Sequence, residues 1–213
     1  MNKKGNEFKG FYGGRNYERF AKFFGMNRKF FQNCVGDISL SKGMNALDLG
    51  CGTGFLTYEL AVKSDNNSAI IGVDISDDQL NFARSKVDFF PCNIDFIKCS
   101  MDSLDFPDEI FDVVISSMAF HETPPSVRRK AISEVTRVLK NGGKFILIDW
   151  SKPKFGIMSL VWLPFIIFGE SNKDNWQNSY WKLCSDNNMR KIEDYYINSL
   201  VRRQVFEKKG LDI

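Results

Sequence analysis

The sequence predicts an α/β fold built on a doubly wound, mostly parallel sheet, and three observations predict it. Short apolar runs alternate with helical stretches through the middle of the chain. The runs are apolar almost throughout rather than at every second residue. The first run ends in a glycine-rich turn, Gly50-Cys51-Gly52-Thr53-Gly54. Strands buried on both faces lose the alternation of a half-exposed sheet, so helices must cover both sides.

The first strand is residues 46–49. A helix follows over 55–62, where Phe55, Leu56, Leu60, Ala61 and Val62 fall at roughly helical spacing. Residues 69–73 read as the second strand, and 77–85 as a helix with Leu80 and Ala83 on one side. Residues 94–97 and the β-branched run 111–116 are the third and fourth strands. From Pro124 a helix is expected, capped by Thr123, with Val127, Ala131, Ile132, Val135, Val138 and Leu139 as its stripe. Asn141-Gly142-Gly143 is expected to end it, and 144–150 is the fifth strand. Residues 8–35 look helical, and seven Phe fall in the first 42 positions. Residues 155–169 carry no charge over 15 positions, too short for a bilayer span and broken by Pro164 and glycines. Residues 192–206 read as antiparallel edge strands.

With 213 residues, 43% hydrophobic and 26% charged, the chain is neither disordered nor collagenous nor a multidomain assembly. One domain over 1–213 is expected: a helical cap at 1–42, a core at 43–150, and 151–213 as lid and edge strands. Five scattered cysteines without a CxxC pair argue against a disulfide framework or a zinc site and suit a reducing cytoplasm. No apolar stretch follows the N-terminal lysines as a secretory signal would require, so a cytoplasmic protein is expected. Net charge is +6 over 1–42, −6 over 43–150 and +3 over 151–213. Basic, aromatic-rich flanks around an acidic middle point to an anionic or lipophilic contact.

Open α/β sheets bind ligands at the carboxyl ends of their strands. Gly50, Gly52 and Gly54 stand there, where a Cβ at Gly50 or Gly52 would block a ligand and the turn calls for positive φ. Asp48 and Asp74 close the first two strands, placed for a ligand amine and a ribose diol, and Asp74 lies 20 residues after Gly54. A dinucleotide fingerprint needs Gly or Ala at position 55 or 57, where Phe55 and Thr57 stand. The GxxxxGK[ST] phosphate loop is absent too.

The run ALDLGCGTGFL from Ala46 to Leu56 resembles motif I of class I S-adenosylmethionine (SAM)-dependent methyltransferases. The resemblance continues through GVDIS at Gly72, FPDEIFDVVI at Phe106 and RVLKNGG at Arg137, covering about residues 43–150. It implies a Rossmann-like, seven-stranded sheet with an antiparallel hairpin at one edge, and SAM as cofactor. Asp48 and the Gly50–Gly54 turn, Cys51 included, would hold the methionine moiety, and Asp74 the ribose hydroxyls. Ile75 would pack on adenine with Ser100 and Met101 at its polar edge, and Ser116 is a further cofactor-binding candidate. The family often has Asp where Ser100 stands, and Asp102 is a substitute for it.

Trp150-Ser151-Lys152-Pro153 resembles the ubiquinone/menaquinone C-methyltransferases, and the Pro164–Gly169 and Ser179-Tyr180-Trp181 regions are loosely similar to theirs. Where those enzymes commonly carry Arg-Asn, this chain has Phe120-His121. His121, the sole histidine, follows strand four, where a neutral imidazole would serve as general base; Glu122 is a weaker candidate. A small, lipophilic acceptor is expected, a quinone-like ring or a lipid headgroup, with phospholipid N-methylation and O-methylation left open, reached under a lid at 155–169 against the aromatic N-terminal helices. Lys152 and Lys154 beside that lid imply peripheral contact with a membrane. A nucleic-acid or protein methyltransferase and a catalytically silent SAM-binding protein are the alternatives. Nucleic acid is disfavoured, because no NPPY-type motif follows strand four and an uncharged segment offers phosphates nothing.

Overall fold

The computed structural model describes residues 5, 7, 14–23, 25–87, 90, 92–154, 156–157, 160, 176–177 and 179–210. Strands β1 (Asn45–Leu49), β2 (Ala69–Asp74), β3 (Asn93–Lys98), β4 (Phe111–Ser117) and β5 (Leu139–Trp150) pair in parallel. A hairpin of β6 (Met189–Tyr196) and β7 (Val201–Lys208) completes the sheet, with β7 antiparallel to β5. The order is β3-β2-β1-β4-β5-β7-β6, so strand order reverses between β1 and β4.

The α-helices among the described residues are α1 (Gly14–Phe23), α2 (Arg28–Val35), α3 (Phe55–Val62), α4 (Asp77–Arg84), α5 (Pro125–Val138) and α6 (Ser179–Asp186). The period-two geometry of a strand splits the apolar runs between two cores. Leu47, Leu49, Val114, Phe145 and Leu147 face α5 and α6, meeting Val127, Ala131, Ile132, Val135, Tyr180 and Cys184. Ala46, Ile70, Val113, Ile115, Ile146 and Ile148 face the other way, meeting Leu56 and Leu60 of α3 and Phe30, Cys34 and Val35 of α2. Burial on both faces explains the continuous apolar runs.

Two local expectations are corrected. Thr123 does not cap α5: its hydroxyl donates to Phe120 O at 2.8 Å, and extended Pro124 (φ −63, ψ 153) occupies the N-cap. Asn141-Gly142-Gly143 does not end α5 either, because the chain turns extended at Leu139 (φ −71, ψ 137) and the three residues lie within β5. There they loop out of the ladder, whose register steps from Phe111↔Leu139 to Val113↔Lys144. A Cβ on Gly143 would come within 2.8 Å of Lys140 O, which is why glycine stands there. Of the apolar segment 155–169, all but 156–157 and 160 lies outside the described residues.

Candidate active site

β1 delivers the chain into the glycine turn at the point where strand order reverses. Gly50 N and Cys51 N both donate to Val73 O, at 2.8 and 2.9 Å, so the turn is sewn to the end of β2. Gly50, Gly52 and Gly54 all have positive φ, at 76, 53 and 77°, a region that L side chains seldom enter. Their surroundings differ. A Cβ at Gly50 would meet Ala119 Cβ at 2.5 Å, and one at Gly54 would meet the Phe96 ring at 2.8 Å. At Gly52 a Cβ would meet nothing within 4 Å, because Gly52 faces the cleft. At Gly50, which also lines the cleft, the protein's own β4 tip already excludes a side chain. Gly54 is the left-handed residue at the start of α3 and is not among the cleft-lining residues.

Asp74 closes β2, and its two oxygens accept from Gly52 N and Ser76 N, both at 2.9 Å. Burial raises its pKa while those amides oppose the rise. Asp48 is 1% exposed and accepts from the Thr57 hydroxyl at 2.6 Å. Burial pushes its carboxyl up to about 7, with Thr57 opposing and Asp74 adding to the rise. A buried carboxylate poised this way is stabilised in its ionised form by a cationic ligand.

One cleft gathers Asp48, Gly50, Cys51, Gly52, Asp74, Ile75, Ser100 and Met101. Ser100 donates to Asp102 at 2.6 Å, so its oxygen retains only acceptor capacity toward a ligand. Ser116 does not reach the cleft: it is fully buried and donates to Leu49 O at 2.6 Å, tying β4 to β1. Its neighbour Ser117 lines the cleft instead. Sequence reasoning also missed Met118, whose φ of 55° turns the chain at the β4 tip, and Gln79, which accepts from Gly14 N at 3.1 Å. Neither has a local signal: a methionine with positive φ is recognisable only from its neighbours in space. The opposite wall is apolar, with Ala21 of α1, Met26, Phe31 of α2, and Phe55 and Leu56 of α3.

His121 sits in a 3-10 turn, 120–122, after β4. Its Nδ1 is 2.7 Å from Asp149 Oδ1 and its Nε2 is 3.0 Å from Glu122 Oε1. Burial opposes the charged ring, but Asp149 and Glu122 outweigh it and push the pKa up to about 10. The sequence leads us to expect a neutral imidazole free to take a proton; in the fold each ring nitrogen faces a carboxylate, an arrangement that favours the imidazolium. Glu122, not His121, is among the described residues that line the cleft. Among the described residues no group of His, Cys, Asp and Glu is arranged to hold a metal.

A family profile described as a methyltransferase domain matches residues 40–205. The curated ubiquinone/menaquinone biosynthesis C-methyltransferase UbiE of Geobacter sulfurreducens is 32% identical over 141 residues, 65% of this chain and 54% of that protein. The demethylmenaquinone methyltransferase of Symbiobacterium thermophilum is 34% identical over 149 residues, 67% of this chain and 58% of that protein. The chain thus spans little more than half the length of either relative. A crystal structure of a SAM-dependent methyltransferase from Aquifex aeolicus shares the fold at a TM-score of 0.64 and 20% identity, over 90% of this chain and 88% of that one.

Proposed function

We propose a reaction from one premise: this chain belongs to the class I SAM-dependent methyltransferases, the family whose domain matches it. The acceptor is a small lipophilic molecule of the hydroquinone type. One observation carries this reading: the apolar wall of Ala21, Met26, Phe31 and Phe55 shares a single cleft with the polar Gly52 and Asp74. A molecule bound against that wall meets aromatic surface, including the stacked Phe31–Phe55 pair at 5.0 Å, with Lys22 and Lys86 over the Phe55 ring at 5.3 and 5.6 Å. The two curated relatives are named for ubiquinone and menaquinone chemistry, which agrees with a ring of this kind.

The cleft fits SAM. The open space beside Gly52 lets a ligand approach the backbone, and Asp74 retains lone pairs for a ribose diol after accepting two amides. Asp48 and the glycine turn hold the methionine end, Ile75 packs on the adenine, and Ser100 and Met101 lie at its edge. When bound, SAM supplies an activated methyl group for in-line displacement. The residues supply alignment and exclude water.

The test is an anaerobic incubation of the protein with SAM and a short-tailed demethylmenaquinol, followed by mass spectrometry. The reading predicts a product heavier by one methyl. Methyl transfer to polar or macromolecular fractions of a host extract, with none to the quinol, would overturn it.

A further inference from the structure

The turn after β4 and the end of β5 bring three ionisable side chains together outside the glycine turn. Asp149, fully buried at 0% side-chain exposure, accepts from His121 N at 2.9 Å through Oδ2 and meets His121 Nδ1 at 2.7 Å through Oδ1. On the far side of the ring, Nε2 meets Glu122 Oε1 at 3.0 Å. The Trp150 ring meets the imidazole edge-to-face at 5.7 Å and fixes its plane. A ring with a carboxylate at each nitrogen satisfies both only when each nitrogen carries a proton. Such a ring has no lone pair to offer a substrate. What it can do is hold a carboxylate still.

We propose that Glu122 is the catalytic residue that takes the acceptor's proton, and that His121 and Asp149 are its positioning pair. The inference rests on the hydroquinone reading above and names the proton acceptor for it. Glu122 lines the same cleft as Gly52 and Asp74, beside Met118 and Ala119 at the β4 tip. A base oriented by a second group, itself fixed by a third, is the arrangement proton transfer requires. Among the described residues the charged groups that line the cleft with Glu122 are Asp48 on β1 and Asp74 on β2, with Glu7 acting on Asp74, while Lys22 and Lys86 stand over the Phe55 ring of the apolar wall. His121, with Nε2 3.0 Å from Glu122 Oε1, supplies a cation that favours the ionised form of Glu122.

The step balances as follows. The phenol O–H proton passes to Glu122, and the oxygen's electrons feed the ring carbon. That carbon bonds the methyl group as the carbon–sulfur bond breaks, with its electron pair remaining on sulfur. Glu122 then returns its proton to the oxygen while the ring C–H proton leaves to water. One proton is released per turnover.

Two measurements test this. The first uses the short-tailed demethylmenaquinol. E122Q should lose about 10²- to 10⁴-fold in kcat with SAM affinity unchanged, and E122D should recover part of it. H121N should shift the acidic limb of the kcat profile to higher pH, because the cation stabilising the ionised Glu122 is gone. Near-normal turnover in E122Q, or an unmoved limb in H121N, would overturn the proposal. The second needs no acceptor. His121 is the sole histidine, so isotope-labelled histidine gives a single ring signal by NMR. Its titration should fall to lower pH in E122Q, and an unchanged titration would overturn the clamp. If the wild-type protein leaves the quinol unmethylated while the E122Q titration moves, the acceptor reading has failed and the clamp stands.

Discussion

Asp48 ties protonation to ligand binding. Its carboxyl is ordinary in the unfolded chain, at 3.8, and is raised by burial to about 7 in the fold. The folded state therefore favours the protonated acid, and that contribution to stability is present below 3.8 and lost as pH rises through about 7. A cationic amine in the cleft favours the ionised form. SAM binding at pH 6 should therefore release protons, and affinity should weaken as pH falls below 7. Calorimetry at pH 6 in two buffers of different ionisation enthalpy reads this directly, and identical heats would contradict it. Asp48→Asn keeps an acceptor for Thr57, and should abolish the proton release while raising urea resistance at pH 8.

Gly50 and Gly52 separate folding from binding within one turn. Gly50→Ala places a Cβ 2.5 Å from Ala119 Cβ and should lower stability by about 2 kcal/mol or more. Gly52→Ala meets open space, so its stability loss should be limited to the cost of its φ of 53°, while SAM affinity falls. Denaturant unfolding and SAM titration of both variants distinguish them. Equal effects on both readouts would refute the division of roles.

At the scale of elements, α1 is a wall of the cleft held by contacts to α4 and the residues just after it. Gln79 of α4, 1% exposed, accepts from Gly14 N at 3.1 Å, and Glu18 pairs with Lys86 at 2.5 Å. Gln79→Ala should speed amide exchange across Gly14–Phe23 and weaken SAM binding, while β1 exchange stays slow; unchanged exchange in α1 would contradict this. The elements that carry the cleft were legible in the sequence. β1, α3 and β2 announce themselves because continuous apolar runs and a glycine turn are local signals, and Asp74 falls at a set distance beyond them. The start of β5 was not. Leu139 belongs to the stripe of α5 and also pairs with Phe111, and only a strand 28 positions away decides between the two. Asn141-Gly142-Gly143 then reads locally as a helix stop. His121 was singled out for its position, but its charge state is set by Asp149, 28 residues further on. α6 went unread, since Tyr180 and Cys184 make too short a stripe to count.

Over the whole molecule, charge and apolar surface separate along the chain. The acidic core, −6 over 43–150, surrounds the cleft proposed for a cationic cofactor, and the flanks are basic. Ile157 and Leu160 are 79% and 68% exposed, close in sequence to Lys152 and Lys154. No helix among the described residues is long and apolar enough to cross a membrane. If the peripheral membrane contact expected from the sequence exists, Ile157 and Leu160 are the described apolar side chains exposed to make it. Replacing both Ile157 and Leu160 with Ser should reduce co-sedimentation with phosphatidylglycerol vesicles and leave SAM affinity unchanged. Undiminished sedimentation would remove the membrane from the account.

The central claim is that the turn after β1 and the carboxylate closing β2 together form the cofactor site. Calorimetric titration of SAM into the wild-type protein and into Asp74→Ala tests it most directly, with circular dichroism to confirm that both are folded. The account predicts saturable, one-to-one binding to the wild type and a loss of at least tenfold in affinity, about 1.4 kcal/mol, in the variant. Equal affinity in two folded proteins would place the cofactor elsewhere and contradict it.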